Sequence, residues 1–119
     1  MEKQMRAELR GTVFDRDLAL SHVDGDSGLL KEIAGLFLGE YPNSLRELRG
    51  AIARGDAELA ERTAHTLKGS VSNFGARAAQ EAAREIEDLG REHKLTETAP
   101  AMQHLELALA ALRSELERL

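Results

Sequence analysis

Apolar residues recur at three- and four-residue steps through most of this chain, the spacing of one buried face on a helix turning about 100° per residue. The longest stripe runs Leu30, Ile33, Phe37, Tyr41, Leu45, Leu48 and Ile52. It passes Pro42 without losing register. Proline inside a helix removes a hydrogen bond and costs about 3 kcal/mol, so two helices are an alternative. The unbroken period nevertheless predicts one kinked helix over residues 29–54, with Gly55 ending it and Asp56 capping the next. A second stripe, Ala57, Ala60, Ala64, Leu67, Val71 and Phe74, predicts a helix that Gly75 terminates in a left-handed conformation. A third helix, over residues 77–89, packs through Ala79, Ala82, Ile86 and Leu89, its alanines allowing close approach to the helix before it. Residues 90–96 read as a connector, with Thr98 as a cap and Pro100 in a first turn. The last stripe, Met102, Leu105, Leu109, Leu112 and Leu116, is the most regular, with Leu107 and Leu119 off it.

Ahead of these, Asp15 caps a short helix reaching about Val23, with Leu18 as its clearest apolar contact. Residues 24–28 form a turn that caps the following helix and lack the downstream glutamate of a calcium loop. Residues 1–12 are a polar lead, frayed or disordered, and residues 13–119 form one domain. Long amphipathic helices on short connectors hide their stripes against one another. The expected fold is therefore all-α: an antiparallel four-helix bundle with a short additional N-terminal helix.

Composition narrows the function. Aromatic residues make up 3% of the chain, and leucine and alanine carry the apolar content, which favours helix over sheet. With no cysteine there is neither disulfide nor thiolate metal site. A net charge of −5 argues against a nucleic-acid backbone as partner. No apolar run approaches the roughly 20 residues that span a bilayer, and the N-terminus lacks the order of a signal peptide; a cytoplasmic protein is expected. His22, His93 and His104 do not stand at helix spacing from His65 or from each other, so no metal site is expected. Neither a nucleotide-binding glycine loop nor a nucleophile beside a recognisable base appears, so the chain is not expected to use ATP or to be an enzyme in its own right.

One segment asks for a chemical explanation. His65 lies roughly 120° from the centre of its helix's apolar stripe, among Glu58, Glu61, Arg62, Lys68, Gly69 and Ser72. The imidazole is presented rather than packed. Gly69 is costly inside a helix by about 0.5–1 kcal/mol. Helical side chains lean toward the N-terminus, so one at position 69 would lie across His65; glycine leaves the ring open to a large reactant. Lys68 brings an ammonium toward any anion held at His65. An exposed imidazole, an ammonium and an unobstructed approach together point to a phosphoryl acceptor. The plainer reading is a surface histidine, a solvated lysine and a glycine placed for helix packing, although Gly69 stands off the apolar stripe.

The run His65-Thr66-Leu67-Lys68-Gly69-Ser70, followed by Asn73-Phe74-Gly75-Ala76, resembles the signature of the histidine-containing phosphotransfer (HPt) domains of multistep two-component phosphorelays. The similarity extends from Val13-Phe14-Asp15 to the last helix. The resemblance implies that His65 is the phosphorylated residue, Lys68 stabilises the phosphoryl group, and Gly69 gives steric access; Arg62, Ser72 and Asn73 stand at the site's periphery. It also implies that the partners are receiver domains of response regulators or hybrid histidine kinases, each bringing its own aspartate and Mg²⁺, and that the chain needs no cofactor. A monomer is expected, because leftover apolar residues such as Leu107 are too few to demand a dimer. Two alternatives stand beside this reading. One is an adaptor or inhibitor that binds a kinase or receiver without being phosphorylated; the other is the phosphoacceptor domain of a larger histidine kinase. The opening methionine and short flanks favour a free-standing protein.

Overall fold

Aspartates set three of the helix starts. Asp15 accepts the backbone N–H of Leu18 at 3.1 Å, Asp26 that of Leu29 at 3.0 Å, and Asp56 that of Leu59 at 3.1 Å, each satisfying an amide that a first turn leaves without an intrahelical partner. The computed structural model describes residues 11–119, so most of the lead expected over residues 1–12 lies outside the described residues. The helices are α1 (Arg16–Ser21), α2 (Ser27–Arg54), α3 (Ala57–Ser72), α4 (Arg77–Arg91) and α5 (Ala99–Leu116), with a 3₁₀ turn at Leu95–Glu97. The long helices α2 to α5 form the four-helix bundle that the stripes predict, and α1 is the short addition.

The stripes become the core. Leu48, Val71, Phe74, Ile86, Leu105, Leu109 and Leu112 are almost fully buried, each burial worth about 1.5–3 kcal/mol. In α2 the buried line is Leu30, Ala34, Phe37, Tyr41, Leu45, Leu48 and Ala51. Ala34 and Ala51 replace Ile33 and Ile52, which are only partly buried and pack against the core edge. The helix runs 28 residues without interruption through Pro42. Phe37 stacks on Tyr41 one turn along the same helix and makes a tertiary contact with Phe74 of the segment following α3, with both pairs of ring centroids 5.3 Å apart.

Gly75 turns the chain from α3 to α4 with φ +58°, the left-handed conformation that glycine adopts without penalty. A Cβ at Gly75 would also stand 2.6 Å from the Cβ of Asp15. The Asp15 amide donates to the Phe74 carbonyl at 2.9 Å, so α1 is pinned against this turn. That placement corrects one expectation. Leu18 is 42% exposed, and Ala19 is the residue that α1 buries, because α1 lies along the end of the bundle rather than in it.

Two further corrections concern α4 and α5. Residue 90 is not in a connector: α4 continues to Arg91, and Gly90 is buried inside it. A Cβ there would come within 3.1 Å of the Ala57 carbonyl oxygen and the Glu61 nitrogen, so glycine is what lets α4 close on α3. Thr98 does precede α5, with Pro100 in the first turn, but its side chain makes no cap. Its hydroxyl donates backward to the Leu95 carbonyl at 2.7 Å, which ties the 3₁₀ turn to α5.

Candidate functional site

The close contact at Gly90 fixes the register of the antiparallel pair α3 and α4. Arg91 reaches Glu61 at 3.2 Å. One turn back along α4, Glu87 faces His65 and Lys68. Glu87 is 5% exposed, although a carboxylate left alone in such a place is costly. It is not alone. Its Oε2 accepts from His65 Nδ1 at 2.7 Å, its Oε1 from Lys68 Nζ at 2.7 Å, and Arg91 approaches Oε2 at 3.4 Å.

These contacts decide the protonation pattern. Burial pushes the Glu87 carboxyl up, while hydrogen bonds from Lys68 and His65 and their charges outweigh it and hold the group below its ordinary value. An ionised carboxylate only accepts. The Nδ1 of His65 therefore carries an N–H, assigned from the hydrogen-bond pattern, and in the neutral ring Nε2 keeps its lone pair. The His65 side chain is 66% exposed. The ring is thus anchored at one nitrogen and open to solvent around the other.

The remaining site residues fall into separate places. Lys68 is 27% exposed and spends one of its three donors on Glu87, leaving two. Gly69 is exposed in α3, and a Cβ built there meets nothing within 4 Å. Close helix packing therefore does not account for glycine at that position. Arg62 lies outside the His65–Glu87–Lys68 cluster; it lines a shallow groove toward α2 with Ser44, Glu47, Leu59, Thr63 and Thr66. Ser72 turns its hydroxyl back to the Gly69 carbonyl at 2.6 Å. Asn73 is the exposed C-cap of α3.

Glu87 is the residue that sequence reasoning missed. The available signal was its position: Ala83, Glu87 and Gly90 continue the buried stripe of α4 at four- and three-residue steps, and a charge on such a stripe demands a partner. Among the described residues no group of three or more histidine, cysteine, aspartate or glutamate side chains is arranged to hold a metal ion. No helix among them is long and apolar enough to cross a membrane.

An antiparallel helical bundle that fixes one imidazole by a single nitrogen and leaves the other facing water defines a class of histidine-presenting domains. Comparison with known proteins makes the assignment specific: the family model described as "Hpt domain" matches residues 32–115, and the chain belongs to that family, the histidine phosphotransfer domains of phosphorelays. Two solved structures share the fold. Histidine-containing phosphotransfer protein B (HptB) from Pseudomonas aeruginosa PAO1 superposes with a TM-score of 0.83 at 24% identity, covering 92% of this chain and 95% of that one. The HPT domain of the Hpt sensor hybrid histidine kinase from Shewanella superposes with a TM-score of 0.77 at 21% identity, covering 89% and 92%. No curated protein matches the chain in sequence.

Proposed function

We propose that this protein carries a phosphoryl group on Nε2 of His65 between the aspartates of receiver domains in a two-component phosphorelay. The observation that carries the reading is the half-anchored ring: Nδ1 bound to buried Glu87 at 2.7 Å, with a side chain 66% exposed. Transfer of a phosphoryl group is mainly positioning and charge neutralisation. A fixed imidazole with a free lone pair supplies the nucleophile, and the partner supplies the activated acyl phosphate together with its Mg²⁺. Lys68, anchored to Glu87 with two donors to spare, offsets charge on the phosphoryl oxygens. Gly69 leaves the approach clear for a partner's active site, with Ser72 and Asn73 beyond it at the end of α3. The protein acts as a monomeric carrier in the cytoplasm, with neither an ATP site nor a resident cofactor.

The test is transfer of label from a radiophosphorylated receiver domain to the purified protein and to His65→Gln. Acid-labile, alkali-stable label on the wild type and none on a folded His65→Gln is the expected result. Label persisting on the variant would remove His65 from the role. Absence of label from a broad panel of receivers, with binding retained by His65→Gln, would favour an unphosphorylated adaptor.

A further inference from the structure

We propose that the groove between α4 and α5 is the docking site of this chain's own residues 1–10, which bind there as a short helix and strap the two helices together. The proposal does not depend on the carrier function. The groove encloses about 650 Å³; Ala78 and Ala82 form its floor, and Arg77, Glu81, Arg84 and Glu85 of α4 and His104 of α5 stand around it. It lies on the α5 side of α4, whereas Glu87 turns to α3 and His65. The chain arrives at one end of it. Gly11 lines the groove beside Arg77, with φ +95°, a conformation that favours glycine, and a Cβ there would stand 3.3 Å from the Cβ of Arg77. The next residue is pinned: the Ala78 N–H donates to the Thr12 carbonyl at 3.0 Å, satisfying an amide that the first turn of α4 leaves without an intrahelical partner. Residues 1–10 are thus tethered at the mouth of the groove.

Length, apolar pattern and charge all match. A ten-residue helix is about 15 Å long, and α4 rises about 16 Å from Arg77 to Asp88, the stretch that lines the groove. Met1, Met5 and Leu9 recur every four residues, the spacing of one helical stripe, and the alanine floor offers that stripe an apolar surface. A helix this short is marginal in water on its own, so it forms only against such a surface. Among the described residues, Arg77, Glu81, Arg84 and Glu85 have no ion-pair partner. Counted back from Gly11 at about 1.5 Å per residue, Arg6 stands level with Glu81 and Lys3 with Glu85. Glu8 and Glu2 come within a turn of Arg77 and Arg84. Each charge of the groove wall that α4 leaves unpaired thereby meets its opposite.

The chain has no cysteine, so Gln4→Cys, off the Met1–Met5–Leu9 stripe, gives a single attachment point for a nitroxide spin label. In the ¹⁵N-labelled full chain the nitroxide is expected to erase the amide signals of Glu81, Glu85 and His104 and to spare those of α2, with full recovery when the nitroxide is reduced. Groove signals that persist beside the nitroxide would overturn the proposal. A mixture of spin-labelled chain without ¹⁵N and ¹⁵N chain without the nitroxide is expected to show no loss; loss there would assign the groove to residues 1–10 of a second copy and overturn the intramolecular strap. Lys3→Glu with Arg6→Glu should restore most of the groove signals in the spin-labelled chain, and adding Glu81→Lys with Glu85→Lys should erase them again. Loss that ignores both charge reversals would overturn the ion-pair register. Phosphoryl transfer plays no part in these readings, so failure of the carrier function would leave them intact.

Discussion

Two glycines inside helices, Gly69 and Gly90, look alike in sequence and occupy opposite environments. A Cβ at Gly69 meets open space, whereas one at Gly90 stands 3.1 Å from backbone atoms of α3. At Gly90 the protein's own packing requires the missing side chain. At Gly69 no neighbouring atom within 4 Å does, and on the proposed function the open space serves a partner approaching His65. One glycine draws Glu87 and Arg91 onto α3, and the other, on the proposed function, leaves His65 accessible.

The comparison can be broken most easily at its crowded end. Gly90→Leu should destabilise the protein by about 3 kcal/mol, the upper part of the usual range for overpacking, seen as a lower midpoint in urea denaturation. Stability unchanged from the wild type would mean that α3 and α4 are not held in the described register. Gly69→Gln, by contrast, should leave the denaturation midpoint unchanged or slightly raised and slow transfer from a phosphorylated receiver by roughly tenfold or more, a barrier increase of about 1.4 kcal/mol. Unimpaired transfer in that variant would contradict the access role. Gly69→Ala is expected to do the reverse of Gly90→Leu, stabilising the fold by about 0.5–1 kcal/mol through helix propensity alone.

The smallest effect concerns the carboxylate that the Gly90 contact brings into place. Glu87 has a folded-state pKa below its unfolded one, near about 4.3, so its contribution is present above that unfolded value and is lost as pH falls through the folded one. The stability difference between wild type and Glu87→Gln should therefore be constant near neutrality and shrink in acid, measured by denaturation at pH 7 and pH 3. A difference that grows toward acid would reverse the assigned sign.

The scaffold was legible because it repeats one physical rule. Each stripe from Leu30 to Leu116 carries its own three- and four-residue period, and aspartates mark the starts of α1, α2 and α3. The presented histidine was legible for the complementary reason: His65 falls well off the apolar stripe of its own helix. What was hidden required two helices at once. Glu87 has meaning only against His65 and Lys68, some twenty residues earlier, and no periodicity within α4 says which partner a buried carboxylate will find. Gly90 was misplaced for the same reason, since glycine after Leu89 signals a helix end unless a neighbouring backbone stands where its side chain would be. Leu18 was misjudged because a six-residue helix expected to cap the end of the bundle is too short for periodicity to say which of its side chains meets the core.

The exposure of the His65 ring has a consequence for timekeeping. No part of α3 or α4 folds over the imidazole, so on the proposed function a phosphoryl group placed there meets water as freely as it meets a partner. The message then carries its own expiry, set by the hydrolysis of a phosphorylated imidazole rather than by the opening of a lid. A signal that must outlast that interval has to be held on another molecule or written again.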